Sequence, residues 1–129
     1  MFMTAEEVVW FANHKYGENA YLIENETEIL IMTAKSKWRI LLNDLKRFGH
    51  YTLFHLNHKT DGIHYHKQCT GRDIDFLVYY AVRHDLDIPC DMAEFERLWE
   101  MYCLGRELEE SCARFAFMSE EDWCLQPLN

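Results

Sequence analysis

Long hydrophobic runs and low-complexity tracts are both missing from this chain. The longest apolar run, Phe76 to Val82, has seven residues, far fewer than the ~20 that a membrane-spanning helix needs. The N-terminus, MFMTAEEV, has acids where a signal peptide would carry a basic region. These absences predict a cytoplasmic protein that does not enter a membrane.

Motifs that define a reaction are also missing. The five cysteines include no CxxC pair, so the spacing typical of zinc ribbons or redox dithiols is absent, and buried free thiols are expected. The chain contains no Ser-His-Asp order, no phosphate-binding glycine loop and no paired catalytic carboxylates that can be defended. Function must therefore be inferred from surfaces and charge.

The composition favours one compact domain spanning residues 1–129. About half of the residues are hydrophobic and 15% are aromatic, which is enough to form a core in a chain of this length. The pattern of apolar residues and turns predicts an α+β fold in which a small antiparallel sheet of two hairpins is covered by helices. The expected order is α-ββ-α-ββ-α-α-α.

Local signals place the first elements. Thr4 and Glu7 form a capping box that begins a helix, and Gly17 ends it after Tyr16. Two short apolar runs, 21–23 and 28–32, predict a hairpin of buried strands. Apolar residues at helical spacing predict a helix over 36–48, with its basic residues on the outer side.

The second half of the chain contains mainly helical patterns. Thr70 with Asp73 is expected to cap a helix that reaches about His84, and Asp91 with Glu94 is expected to cap another. Gly105 marks the end of that helix or a kink, and further helical patterns cover 108–115 and the segment after Ser119. An acidic helical part is therefore expected over about 85–129.

The net charge of −9 is unevenly distributed. Residues 1–84 contain ten acids and ten bases, whereas residues 85–129 contain twelve acids and three arginines. The middle of the chain is locally basic, and we expect a dipolar molecule. Two candidate binding surfaces follow: a basic one with Lys37, Arg39, Lys46 and Arg47, and an acidic one with Glu96, Glu100, Glu107 and Glu110.

A histidine-rich segment, 50–69, predicts a β-hairpin with Asp61-Gly62 at its turn. A two-residue turn pairs Phe54 with Cys69, and a four-residue turn moves the register by two without changing the faces. Phe54 and Leu56 are expected to pack against helices. His55, His64 and His66 are expected on the opposite, polar face.

Three histidines on one face of a hairpin can bind zinc or another divalent metal. The sequence therefore offers His55, His64 and His66 as candidate ligands. Lys59 and Lys67 disfavour this site because they would repel a cation. The favoured interpretation is therefore a polar surface that faces solvent or a partner.

His64-Tyr65-His66 resembles the His-hydrophobic-His strand motif of the HUH endonucleases. The resemblance covers these three residues and a tyrosine pair that follows them. It implies that His64 and His66 hold a divalent metal and that Tyr79 or Tyr80 attacks a phosphodiester. The other motifs of that family are absent from this chain.

The leading interpretation is a small acidic, non-enzymatic interaction protein without a cofactor. Its partner is expected to be a protein, and its role to be regulation or inhibition of a nucleic-acid-processing partner, with acidic helices that mimic DNA as one mode. Direct nucleic-acid binding through the basic segment and Trp38 is the less favoured mode. The alternative is a divalent-metal-dependent phosphodiesterase or nuclease that uses the histidine hairpin. The sequence leaves the oligomeric state open.

Overall fold

The computed structural model describes residues 3–57 and 64–115, except for the side chains of Asn57 and 106–115. Within these ranges the elements are α1 (Ala5–Tyr16), β1 (Tyr21–Glu24), β2 (Glu28–Met32), β3 (Ser36–Leu41), α2 (Asp44–Phe48), β4 (Tyr51–Asn57), β5 (His66–Gly71), α3 (Ile74–Asp85) and α4 (Met92–Phe115). The strands form a five-stranded antiparallel sheet in chain order. The α+β class is confirmed, whereas the predicted order differs in detail.

Helix α1 has the predicted boundaries. The Thr4 hydroxyl accepts from the Glu7 backbone N–H, and the Glu7 carboxylate accepts from the Thr4 N–H. Gly17 follows the helix at φ 69°, a left-handed conformation that costs glycine little. These caps orient α1 so that Val8, Val9 and Ala12 are buried against the sheet and α3.

The core lies between the helices and one face of the sheet, which we call the inner face. Because side chains alternate along a strand, β2 contributes Ile29 and Ile31 to this face, and β3 contributes Trp38 and Ile40. Leu53 of β4 continues the layer through its pairing with Ile40. All five side chains are buried against α1 and α3.

The predicted helix over 36–48 is wrong. Residues Ser36–Leu41 form β3, and only Asp44–Phe48 is helical. Trp38, Leu41 and Leu45 fit a helical period, but the strand gives Trp38 and Ile40 burial on one side of the sheet. Hydrogen bonds to β2 and β4 on both sides stabilise the extended form.

The later helices also differ from the expectation. Thr70 lies in β5, and Asp73 precedes α3 without a side-chain cap. The Asp91 carboxylate does cap α4, since it accepts from the Glu94 backbone N–H at 3.2 Å. Helix α4 continues through Gly105 to Phe115 as one element, whereas two were predicted. The helix predicted after Ser119 lies outside the described residues.

A buried ionic network joins α1, α3 and α4. The Glu94 carboxylate accepts from the hydroxyls of Tyr16 and Tyr79, each at 2.7 Å from Oε1, and from Lys15. The Arg83 guanidinium lies 3.5 Å from Glu94 and donates to Tyr16. Burial alone would raise the pKa of Glu94, but these hydrogen bonds and the Arg83 charge lower it to about 2. Glu94 is therefore ionised and fixes three helices together.

Candidate functional site

The second face of the sheet, which we call the outer face, is crossed by two rows of side chains. The register places the members of each row opposite one another on adjacent strands. The first row is Tyr21, Met32, Lys37 and Leu56, and the second is Ile23, Leu30, Arg39, Phe54 and Lys67. Six of these nine residues are apolar, and the other three are bases.

The outer face is much less covered than the inner face. Tyr21 is 56% exposed and Ile23 is 47% exposed, although both are large apolar residues. Most of the remaining side chains are half-buried, Lys67 is exposed and Leu56 is buried. Contiguous exposed apolar area of this kind is typical of binding surfaces in proteins.

The charges of the outer face are partly compensated. The Arg39 guanidinium pairs with Glu28 of β2, so its charge is largely neutralised. Burial raises the pKa of Tyr65, and Arg39 and Glu28 lie close enough for their charges to influence it. Lys37 and Lys67 remain as positive charges, and the outer face is therefore apolar and basic within an acidic protein.

The predicted basic residues do not share one helix. Lys37 and Arg39 lie on the outer face, whereas Lys46 and Arg47 are exposed on α2. Trp38 is fully buried on the inner face, so its predicted contact with nucleic acid is wrong.

The predicted acidic residues lie on α4. Glu96 and Glu100 are exposed one helical turn apart, beside a cavity of about 360 Å³ lined by Phe95 and Trp99. Residues 107 and 110 belong to the same helix, but the side chains of Glu107 and Glu110 lie outside the described part of the chain. Binding by these acids stays a prediction.

The two faces of β4, the first strand of the histidine hairpin, are the reverse of those predicted. His55 is 3% exposed and lies on the inner face, whereas Phe54 and Leu56 point outward. Phe54 pairs with Lys67, the register expected for the longer turn, and the turn itself lies outside the described residues. Phenylalanine is buried more often than histidine, but in β4 it is the side of His55 that packs on the core.

The three candidate metal ligands are only partly brought together. His55 and His66 are paired across β4 and β5, with ring centroids 5.1 Å apart. His64 is exposed and precedes β5. His84 of α3 approaches His55 instead, also at a centroid distance of 5.1 Å.

The tyrosines implied by the HUH resemblance are both engaged elsewhere. Tyr79 is 2% exposed, and its hydroxyl donates to Glu94. The Tyr80 hydroxyl accepts from Gln68 Nε2 at 3.2 Å. Because His64 lies outside β5, the two histidines of the motif do not share a strand. This geometry gives no support to a tyrosine nucleophile.

The sequence interpretation missed the apolar residues of the outer face. The run Glu28–Met32 is apolar at four of its five positions, which is typical of a strand buried on both sides. The alternation of Lys37 and Arg39 with buried residues in β3 is the signal that could have indicated an exposed side of the sheet. His84 and Asp85 were missed as site residues because they lie about 30 positions after His55 in the sequence.

Neither a protein family, a curated protein nor a solved structure matches this chain. None of the helices in the described ranges is long and apolar enough to cross a membrane.

Proposed function

We propose that this chain is a non-enzymatic interaction protein that binds a partner protein through the outer face of its sheet. The observation that carries the proposal is the pair of side-chain rows, in which six apolar residues, Tyr21 and Ile23 of β1 being the exposed ones, share one face with Lys37 and Lys67. A partner with apolar side chains and carboxylates would complement both features.

The composition of the outer face favours a protein over a nucleic acid. Four of its nine side chains are aliphatic: Ile23, Leu30, Met32 and Leu56. Aliphatic side chains pack well in protein interfaces, whereas single-stranded nucleic acids are bound by aromatic side chains that stack on bases. Tyr21 and Phe54 are aromatic but lie in different rows and three strands apart.

We further propose that the partner processes nucleic acids and that this protein regulates or inhibits it. The support is the acidic part of α4, where Glu96 and Glu100 are exposed four residues apart, or about 6 Å along the helix axis. Carboxylates at this spacing can contact a basic groove that otherwise holds phosphates. The outer face and the acidic helix would then bind two parts of one partner.

A matched pair of double variants tests the outer face. Ile23→Asp with Lys37→Glu changes one exposed apolar residue and one base of the face, and the control, Phe48→Asp with Arg72→Glu, makes the same changes outside both the outer face and α4. Each protein is immobilised and used to capture proteins from a nuclease-treated host lysate, with quantification by mass spectrometry. We expect at least one partner captured by the parent and by the control variant to be lost with the outer-face variant.

The purified partner then gives the affinity. We expect the outer-face variant to bind at least about tenfold more weakly, which is about 1.4 kcal/mol, and the parent to bind more weakly as salt rises. Equal capture by both variants would contradict the proposal. If capture that depends on the outer face occurs from an untreated lysate and is absent from the nuclease-treated one, the occupant is a nucleic acid.

A further inference from the structure

Three potential metal-binding groups meet between β4 and the end of α3. One ring nitrogen each from His55 and His84, and one oxygen of Asp85, all lie within 4.8 Å of one another. Asp85 Oδ1 is 3.9 Å from His55 Nε2 and 3.3 Å from His84 Nδ1. Ligands ~2.1 Å from a tetrahedral ion are about 3.4 Å apart. The three groups therefore need only small side-chain rotations to share one ion.

The Asp85 carboxylate is held in one orientation by its second oxygen. Oδ2 accepts from Ser36 Oγ at 2.6 Å, from Trp38 Nε1 at 2.8 Å and from the Thr33 hydroxyl. Oδ1 is thereby directed at the two histidines. Hydrogen bonds to the oxygen that does not bind the ion are the usual support of a carboxylate ligand.

The His55 ring is also held in one orientation. Its ring stacks on the indole of Trp38, with centroids 3.8 Å apart and planes at 13°. Its Nε2 lies 2.9 Å from Ser36 Oγ. Because the Ser36 hydroxyl donates to Asp85, it accepts from His55, and an ion would replace this contact with a bond to Nε2. The site is therefore rigid at two of its three ligands.

The charge of Asp85 also favours a cation at this position. Asp85 is 4% exposed, and among the described ion pairs its partners are His55 and His84, with no lysine or arginine. Arg83, the base nearest to Asp85 in the sequence, pairs with Glu94, and Lys35 pairs with Asp87, although the charge of Asp85 also acts on Lys35. A buried carboxylate is costly without a positive partner. A divalent ion would supply that charge.

Solvent reaches the site from one side. The His84 side chain is 39% exposed, and the exposed His66 ring contacts His55. The described part of the chain provides three ligands in this group, which leaves a coordination position for water, as in zinc sites that are not purely structural. Two imidazoles with a carboxylate suit zinc and its first-row neighbours better than magnesium or calcium.

We propose that His55, His84 and Asp85 bind one divalent first-row transition-metal ion, for which Zn²⁺ and Co²⁺ are suitable probes. The set differs from the one expected from the hairpin alone, because His84 and Asp85 replace His64 and His66. It lies on the inner face of the sheet and is independent of partner binding at the outer face.

The test compares exposed histidines, because their replacement leaves the core intact. His84→Ala removes a proposed ligand, His64→Ala removes the ligand expected from the hairpin, and His14→Ala removes an exposed histidine of α1. Each protein is freed of metal with a chelator, checked by circular dichroism and titrated with Zn²⁺ against a chromophoric competitor. Co²⁺ absorption spectra report the coordination.

We expect the parent, His64→Ala and His14→Ala to bind one equivalent with equal affinity. In His84→Ala the affinity should fall by more than the ~10–100-fold that loss of an outer-shell partner costs. Failure of the folded parent to bind one equivalent would overturn the proposal. So would unchanged binding by His84→Ala, or loss of binding in His64→Ala alone.

Discussion

Glu94→Gln is expected to lower the free energy of unfolding by about 3–5 kcal/mol at neutral pH, the range for removing one partner of a buried ion pair. The amide cannot neutralise Arg83, whose side chain is only 7% exposed. It also presents N–H groups to two tyrosine hydroxyls that donate to the carboxylate. Urea unfolding followed by tryptophan fluorescence measures the loss.

The matched control is Glu96→Gln, on the same helix but exposed to solvent. Its effect should stay within about 0.5 kcal/mol, as for most surface substitutions. If both variants unfold at the same urea concentration, the network does not hold the helices together.

The pH dependence of the parent gives a second measurement of the same network. Glu94 has a pKa of about 2 in the folded protein and an ordinary value of 4.5, so its contribution is complete above pH 4.5. It is lost as the pH falls from 4.5 towards 2, and the shift corresponds to about 3 kcal/mol. This part of the acid dependence should be missing from Glu94→Gln.

Asp85→Ala is expected to destabilise the fold by on the order of 3 kcal/mol in metal-free protein. The substitution leaves the Ser36 hydroxyl and the Trp38 indole N–H, both fully buried, without their acceptor. Each buried donor without a partner costs ~1–3 kcal/mol. Removal of the buried charge offsets part of this loss. Thermal and urea unfolding in the presence of a chelator measure the effect.

Asparagine at the same position separates hydrogen bonding from charge. Asp85→Asn keeps an oxygen that can accept from Ser36 and Trp38, so it should be clearly more stable than Asp85→Ala. Asp87→Asn is the control, because that carboxylate is 84% exposed and pairs with the exposed Lys35; its effect should be under about 1 kcal/mol. Equal stability of Asp85→Ala and Asp87→Asn would show that Asp85 does not organise its surroundings.

The features that could be predicted from sequence are those with local causes. The capping box of Thr4 and Glu7 and the stop at Gly17 involve neighbouring residues, and both are present in the structure. The strand Ser36–Leu41 could not be predicted, because its apolar residues fit a helical period as well. Pairing with strands on both sides decides in favour of the extended form.

The candidate sites depend on contacts between residues far apart in the chain. Which side of β4 is buried is decided by α3, whose Asp85 lies 30 positions after His55. The polar residues of the inner face therefore have partners that no hairpin pattern reveals. The outer face could not be predicted because its residues are apolar too. Leu30 and Met32 resemble core residues as closely as Ile29 and Ile31 do.

The strand order has a consequence for the folding reaction. Each strand pairs with its neighbour in the sequence, so the sheet can form by successive hairpins that close only short loops. The docking of α1 against α3 instead joins segments about 70 residues apart. Because contacts between distant segments slow folding, we expect the sheet to form early and the arrival of α1 to limit the rate.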